Sequence, residues 1–173
     1  MDKTNYDTLS WEWTNLLAGV KDFPYGVKSP SQPQSPYVIS HLTGMAQALP
    51  DFFDSNHSIA TSEDAEAYLA RLERYGPVLE SETAHFQQDV AAGVRPPAFI
   101  MHRALDMLRA WRAQSDDTNL LVTSLVRRAG DAHIAGDWGA RAKSILSGKI
   151  WPAIEAQIAA VQAELPHANE DAG

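Results

Sequence analysis

"ATSEDAEAYLARLERYG", residues 60–76, decides the fold class. Thr61 or Ser62 supplies an N-cap hydroxyl, and Glu63 and Asp64 then place negative charge in the first turn, where the helix dipole favours it. Tyr68, Leu69, Leu72 and Tyr75 recur at helical spacing and form one apolar face. Gly76-Pro77 is expected to end this helix, because proline cannot donate to the preceding turn.

Reading outward towards the C-terminus, the same pattern repeats. A second helix is expected from Pro77 to about Ala92, presenting Val78, Leu79, Phe86 and Val90, with Gly93 as its cap. The connector "GVRPP" (93–97) places Pro96 or Pro97 at a helix start, where a missing N–H costs nothing. The next helix runs to about Ala113 with Ile100, Ala104, Leu108 and Trp111 in one stripe. "SDDTNLLVTSLVRRA" (115–129) follows, with Ser115 or Asp116 as the expected cap. The last helix, from about Trp138 to Leu165, carries Ile150, Ile154, Ile158, Val161 and Leu165, and Pro152 should kink it or mark a new start.

Towards the N-terminus the texture changes. "LSWEWTNLL" (9–17) reads as a short helix with Leu9, Trp13, Leu16 and Leu17 on one face, stopped by Gly19. Ser29 to Pro50 then carries no charge unless a histidine protonates, and it contains four prolines. "SPSQPQSP" (29–36) should be extended or polyproline-like. Tyr37-Val38-Ile39 reads as a short extended piece, and "HLTGMAQALPDFF" (41–53) as one or two helical turns ended by Pro50. No alternating strand pattern of useful length appears. The expected architecture is all-α: an antiparallel helical bundle with a long irregular proline-rich loop near the N-terminus. Residues 1–18 form a helix in this reading, 19–60 the loop with short helical turns, 61–165 the bundle, and 166–173 a tail.

The 173 residues fit one domain with a real core. A net charge of −8 argues against nonspecific nucleic-acid binding, which needs a basic surface. Residues 1–94 hold 13 acids and 5 bases, whereas 95–173 hold 9 of each, so the acidic excess sits in the first half. That excess suits either a solvated face or a cationic partner or substrate. With no cysteine, disulfides, thiolate zinc sites and a cysteine nucleophile are excluded. The first 13 residues lack the basic and apolar regions of a signal peptide, which leaves the compartment open, cytoplasmic by default. No run of about 18 apolar residues offers a membrane span.

Residues capable of chemistry are scattered. Of six histidines, none stands in a His-Glu-x-x-His helix. Glu82 and His85 share a helical face, but a di-iron bundle needs a second such pair, and an exposed helix pair is the simpler reading. Asp131 and His133 could be an orienting carboxylate and base, or merely a turn; His102 reads as surface. Ser144 and Ser147 have no activating neighbour, and no nucleophile elbow or phosphate loop is present. Arg127-Arg128 could clamp a carboxylate or be a solvated pair. No complete active site is legible.

"PYVISHLTG" (36–44), "ALPDFFDSNHSIATSEDAEAYLARL" (48–72) and "GVRPP" (93–97) occur in the order and with the spacing of a bacterial group, domain of unknown function 885, and "NYDTLSWEW" (5–13) resembles its preceding helix. Members of that group are longer helical zinc-peptidase-like proteins with a His-Glu-x-x-His-type helix in their second half. This sequence ends before such a helix. The resemblance therefore implies a fragment, a processed chain or one subunit of a split enzyme, with zinc in the missing half or a partner chain and none in this one. It implies a non-catalytic scaffold and substrate-facing half of a zinc-dependent peptidase or amide hydrolase. Tyr37, Ser40 and His41 are then candidates for lining the peptide cleft. The alternative for these residues is core packing by Tyr37-Val38-Ile39 with Ser40 as a cap. The alternative for the whole chain is a stand-alone helical protein-interaction module without catalysis.

Overall fold

Thr61 opens the central helix of a computed structural model that describes residues 2–27 and 35–170. Its hydroxyl accepts from Asp64 N, while the Asp64 carboxylate accepts from Thr61 N at 2.9 Å and Ala60 N at 3.0 Å. This reciprocal capping box satisfies donors that would otherwise be orphaned, and these hydrogen bonds hold the Asp64 pKa below its usual value. The helix, α3, then runs from Ser62 to Ala91 without a break.

The expected stop at Gly76-Pro77 does not occur. Pro77 removes one backbone hydrogen bond, but Tyr68, Leu69, Leu72 and Tyr75 before it and Leu79, Phe86 and Val90 after it are all buried. Burying both halves of the helix in one core outweighs the local defect. Gly76 serves close approach instead of termination: a Cβ there would lie 2.8 Å from the Lys149 carbonyl oxygen.

The other elements wrap this axis. They are α1 (Lys3–Asp22), α2 (Met45–Asp51), α4 (Ala98–Arg112), α5 (Leu120–Asp131), α6 (Trp138–Ile145) and α7 (Trp151–Glu164). A π-helical turn, Phe52–Asn56, extends α2, and another, Leu146–Ile150, joins α6 to α7. Pro152 lies in the first turn of α7, directly after the π-turn, and the backbone stays helical through the junction. Asn119, not Ser115 or Asp116, caps α5: its side-chain oxygen accepts from Leu121 N at 3.0 Å, and the residue is fully buried. Helix α2 passes through Pro50, and α1 passes through Gly19 to Asp22, so neither residue is a stop.

The fold is all-α. Among the described residues the only sheet-like pairing is an isolated antiparallel bridge between Val27 and Ser35; residues 36 and 38–44 are bends and 37 is irregular, without a strand at 37–39. The polyproline expectation for 29–36 falls mostly outside the described residues. The main core gathers Phe53, Tyr68, Leu72, Tyr75, Leu121, Leu125, Leu146, Ile150 and Ile154. A second cluster joins Val38 and Ile39 to Phe86, Val90, Met101, Leu105 and Val161. The chain end as far as Asn169 lies against α4, where Ala98 N donates to Asn169 O at 2.9 Å. No helix among the described residues is long and apolar enough to cross a membrane.

Helix α1 stands apart. Tyr6, Leu9, Trp13, Leu16 and Val20 alternate three and four residues apart, the spacing of a coiled-coil seam. Of these only Leu16 is buried; Tyr6 is 63%, Leu9 46% and Trp13 50% exposed.

Candidate functional site

Along one face of α3, Glu82 and Asp89 stand two turns apart, and both are buried. Each accepts a backbone N–H from the N-terminal segment. Asp89 takes Gly26 N at 2.9 Å, and Glu82 Oε1 takes Met45 N at 2.8 Å, the first residue of α2. Tyr75 completes the grip by donating its hydroxyl to Met45 O at 2.9 Å. Glu82 Oε2 accepts from Gln157 Nε2 of α7 at 2.9 Å. Burial pushes the Glu82 carboxyl above its ordinary pKa, against the opposing pull of the Met45 and Gln157 donors. Burial, with a smaller push from Glu82, raises the Tyr75 phenol as well. Gln157 Oε1, fully enclosed, has no partner among the described residues.

A groove borders this carboxyl on both sides. One cavity, walled by Leu42, Gly44, Met45 and Asp51, meets another, walled by Val38, Val78, Ser81 and His85; Val27, Met45 and Glu82 belong to both. Glu82 is therefore no member of an exposed helix pair. His85, half-exposed, turns instead to Asp89, 3.5 Å away.

The three candidate cleft residues sit on the loop that forms one side of the groove, without lining either cavity. Ser40 is buried, and its hydroxyl oxygen accepts from Leu42 N and Thr43 N, each at 3.0 Å, and pairs with Thr43 Oγ1 at 2.8 Å. It organises the turn ahead of α2, whose N-cap is Gly44. The Tyr37 backbone is tied to Ser35 and Thr43. His41 keeps a buried Nδ1 with no partner among the described residues. Val38 and Ile39 are core.

The remaining candidates do not converge. Asp131 faces Arg127 at 3.9 Å, while His133 adopts a left-handed turn conformation (φ 55°) at the end of α5. His102 is on the surface. Ser147 Oγ donates to the Lys143 carbonyl at 2.9 Å. Arg127 pairs with Asp54 at 3.5 Å. Arg128 turns inward, donating to Phe53 O at 2.7 Å and to His57 O, with its guanidinium over the Tyr68 ring. Buried His57 accepts from Arg71 at Nδ1, which leaves Nε2–H to donate to Asp64 O at 3.0 Å. This cluster locks the π-turn to α3 and α5, and nothing in the local sequence signals it. Among the described residues no three His, Asp or Glu side chains could hold a metal ion.

Comparison with solved structures gives a crystal structure of "the putative lipoprotein from Colwellia psychrerythraea", at 17% identity and a TM-score of 0.84. The match covers 90% of this chain but 28% of that one, so the present fold corresponds to under a third of its neighbour. Comparison with curated proteins gives no match. The family described as "Bacterial protein of unknown function (DUF885)" matches residues 1–173. The chain belongs to that family.

Proposed function

We propose that this chain is the non-catalytic, substrate-facing half of a hydrolase, completed by a partner chain or segment. The observation that carries the reading is α1, a 20-residue helix whose apolar seam is exposed at every position but Leu16. Contiguous exposed apolar surface of this kind marks an interaction site. A solved neighbour in which this fold is 28% of the chain supports the same reading. The zinc and the peptidase or amide-hydrolase chemistry rest on the family resemblance, and the metal would belong to the partner segment. Tyr37, Ser40 and His41 contribute by shaping the loop beside the groove, with Ser40 as a positioning residue.

Native mass spectrometry with metal analysis, on the chain isolated undenatured from the cells that make it, tests this. The expected result is a complex with a second chain and about one zinc, as a single-metal hydrolase requires. Leu9→Ser/Trp13→Ser should lose that complex with its melting temperature unchanged. A metal-free 19.0 kDa monomer overturns the reading. A symmetric dimer closed through α1 replaces it with the interaction module.

A further inference from the structure

We propose that the groove beside Glu82 binds an ammonium or guanidinium group carried on an apolar stem, with the Glu82 carboxyl as its counter-charge. The two cavities measure about 280 and 350 Å³ and share Glu82 in their walls, and each has room for a side chain or small amine. Their walls supply Val27, Val38, Met45 and Val78 for an apolar stem. Among the described residues lining them the ionisable groups are Asp51, Glu82 and His85, with no lysine or arginine. Gly44 and Glu82 both line the first cavity, and a Cβ on Gly44 would stand 3.6 Å from Glu82 Oε1, so the backbone beside the carboxyl carries no side chain.

The chemistry at the junction is short of donors. The two carboxylate oxygens hold one neutral donor each among the described residues, which leaves lone pairs on both for the N–H groups of a cation. A carboxyl in this position is destabilised in its charged form by burial. An entering cation reverses that penalty, whereas a neutral ligand leaves it in place and an anion meets Asp51 and Glu82 together. The acidic excess of the N-terminal half has the same sign.

The proposal rests on reading this face as substrate-facing, and its test uses neither hydrolysis nor a partner, so either can fail alone. The chain is titrated with n-butylamine, n-butylguanidine, n-butanol and butyrate, followed by methyl NMR. Saturable shifts at Val27, Val38, Met45 and Val78 are expected from the two cations only. Glu82→Gln should weaken them by about tenfold or more, the loss expected when a charged hydrogen-bond partner is neutralised. The proposal is overturned if folded wild-type protein shows no saturation with either cation, or if butanol or butyrate binds as tightly. Cation binding unchanged in Glu82→Gln also overturns it. The comparison among probes in the wild-type chain decides even where the variant unfolds.

Discussion

Helices α1 and α3 are both long and both striped with aromatic and aliphatic residues, yet they have opposite fates. The stripe of α3 is enclosed by α2, α5, α6 and α7, with Tyr68, Leu72 and Leu79 fully buried. The stripe of α1 is exposed at every position but Leu16, with Tyr6 63% and Trp13 50% exposed. Periodicity therefore predicts that a face wants covering and does not say what covers it. One helix is an organising axis, while the other is an offer of contact.

The sharpest way to break this comparison is to truncate both stripes. Leu72→Ala, in α3, should cost about 3 kcal/mol through lost burial and the cavity left behind. Leu9→Ala, in α1, should stay within about 0.5 kcal/mol, as for a surface substitution. Chemical denaturation of the two variants measures both. Equal losses would mean that α1 is packed in solution, and the contrast would collapse.

Next in size is Arg128→Ala. The guanidinium satisfies the carbonyls of Phe53 and His57 at the end of the π-turn that follows α2. Leaving these acceptors without their charged donor should cost about 2–3 kcal/mol, and Arg128→Lys should recover little because a single ammonium cannot fork between them. Melting curves with hydrogen exchange at 52–57 would show whether the loss is confined to the π-turn or spreads into α3.

Gly76→Ala follows. An isolated helix would gain about 1 kcal/mol from this change. Here the new methyl meets backbone atoms, at 2.8 Å from Lys149 O and 3.2 Å from Lys149 C, which cannot swing aside like a side chain. The π-turn must shift away from α3, and a net loss of about 1–3 kcal/mol is expected. A gain in stability would show that the glycine is not there for close approach.

These positions also mark what could be read from the chain alone. The Thr61 cap and the Tyr68–Tyr75 stripe are legible because donor, acceptor and apolar face lie within a few residues of each other. The passage through Gly76-Pro77 is not, because its cost is local while its compensation comes from α7 and the π-turn. Asn119 competes with Ser115 and Asp116 for the same cap, and its burial, a tertiary fact, decides between them. The Arg128–His57 contact spans 71 residues and leaves no local trace. Spacing put Glu82 and His85 on one helical face, but only the packing of α2 and α7 over Glu82 makes the two residues different. What the loop at 36–44 does is harder still to read, since Ser40 suits either a cap for the next helix or a group lining the cleft.

The smallest expected effect separates Glu82 from the ordinary acids of α3. Burial raises its folded-state pKa, so the folded protein keeps this proton to a higher pH than the unfolded chain. Between the unfolded and folded values the native state binds more protons, and stability falls as pH rises. Glu82→Gln has no such proton. Its amide oxygen can accept from Met45 N, and its NH₂ can donate to Gln157 Oε1 once that amide turns over, leaving Gln157 Nε2 unpaired in exchange. The stability of wild type relative to Glu82→Gln should therefore be constant below the unfolded carboxyl pKa. It should decline through the window between the two values and level off above the folded one. The raised Tyr75 phenol stays protonated throughout. Urea unfolding of both proteins from about pH 4 to 8, the range in which carboxyl linkage acts, measures this difference. A flat difference would mean that water reaches Glu82 freely, and the groove would then lack the desolvated carboxyl on which its proposed preference for cations depends.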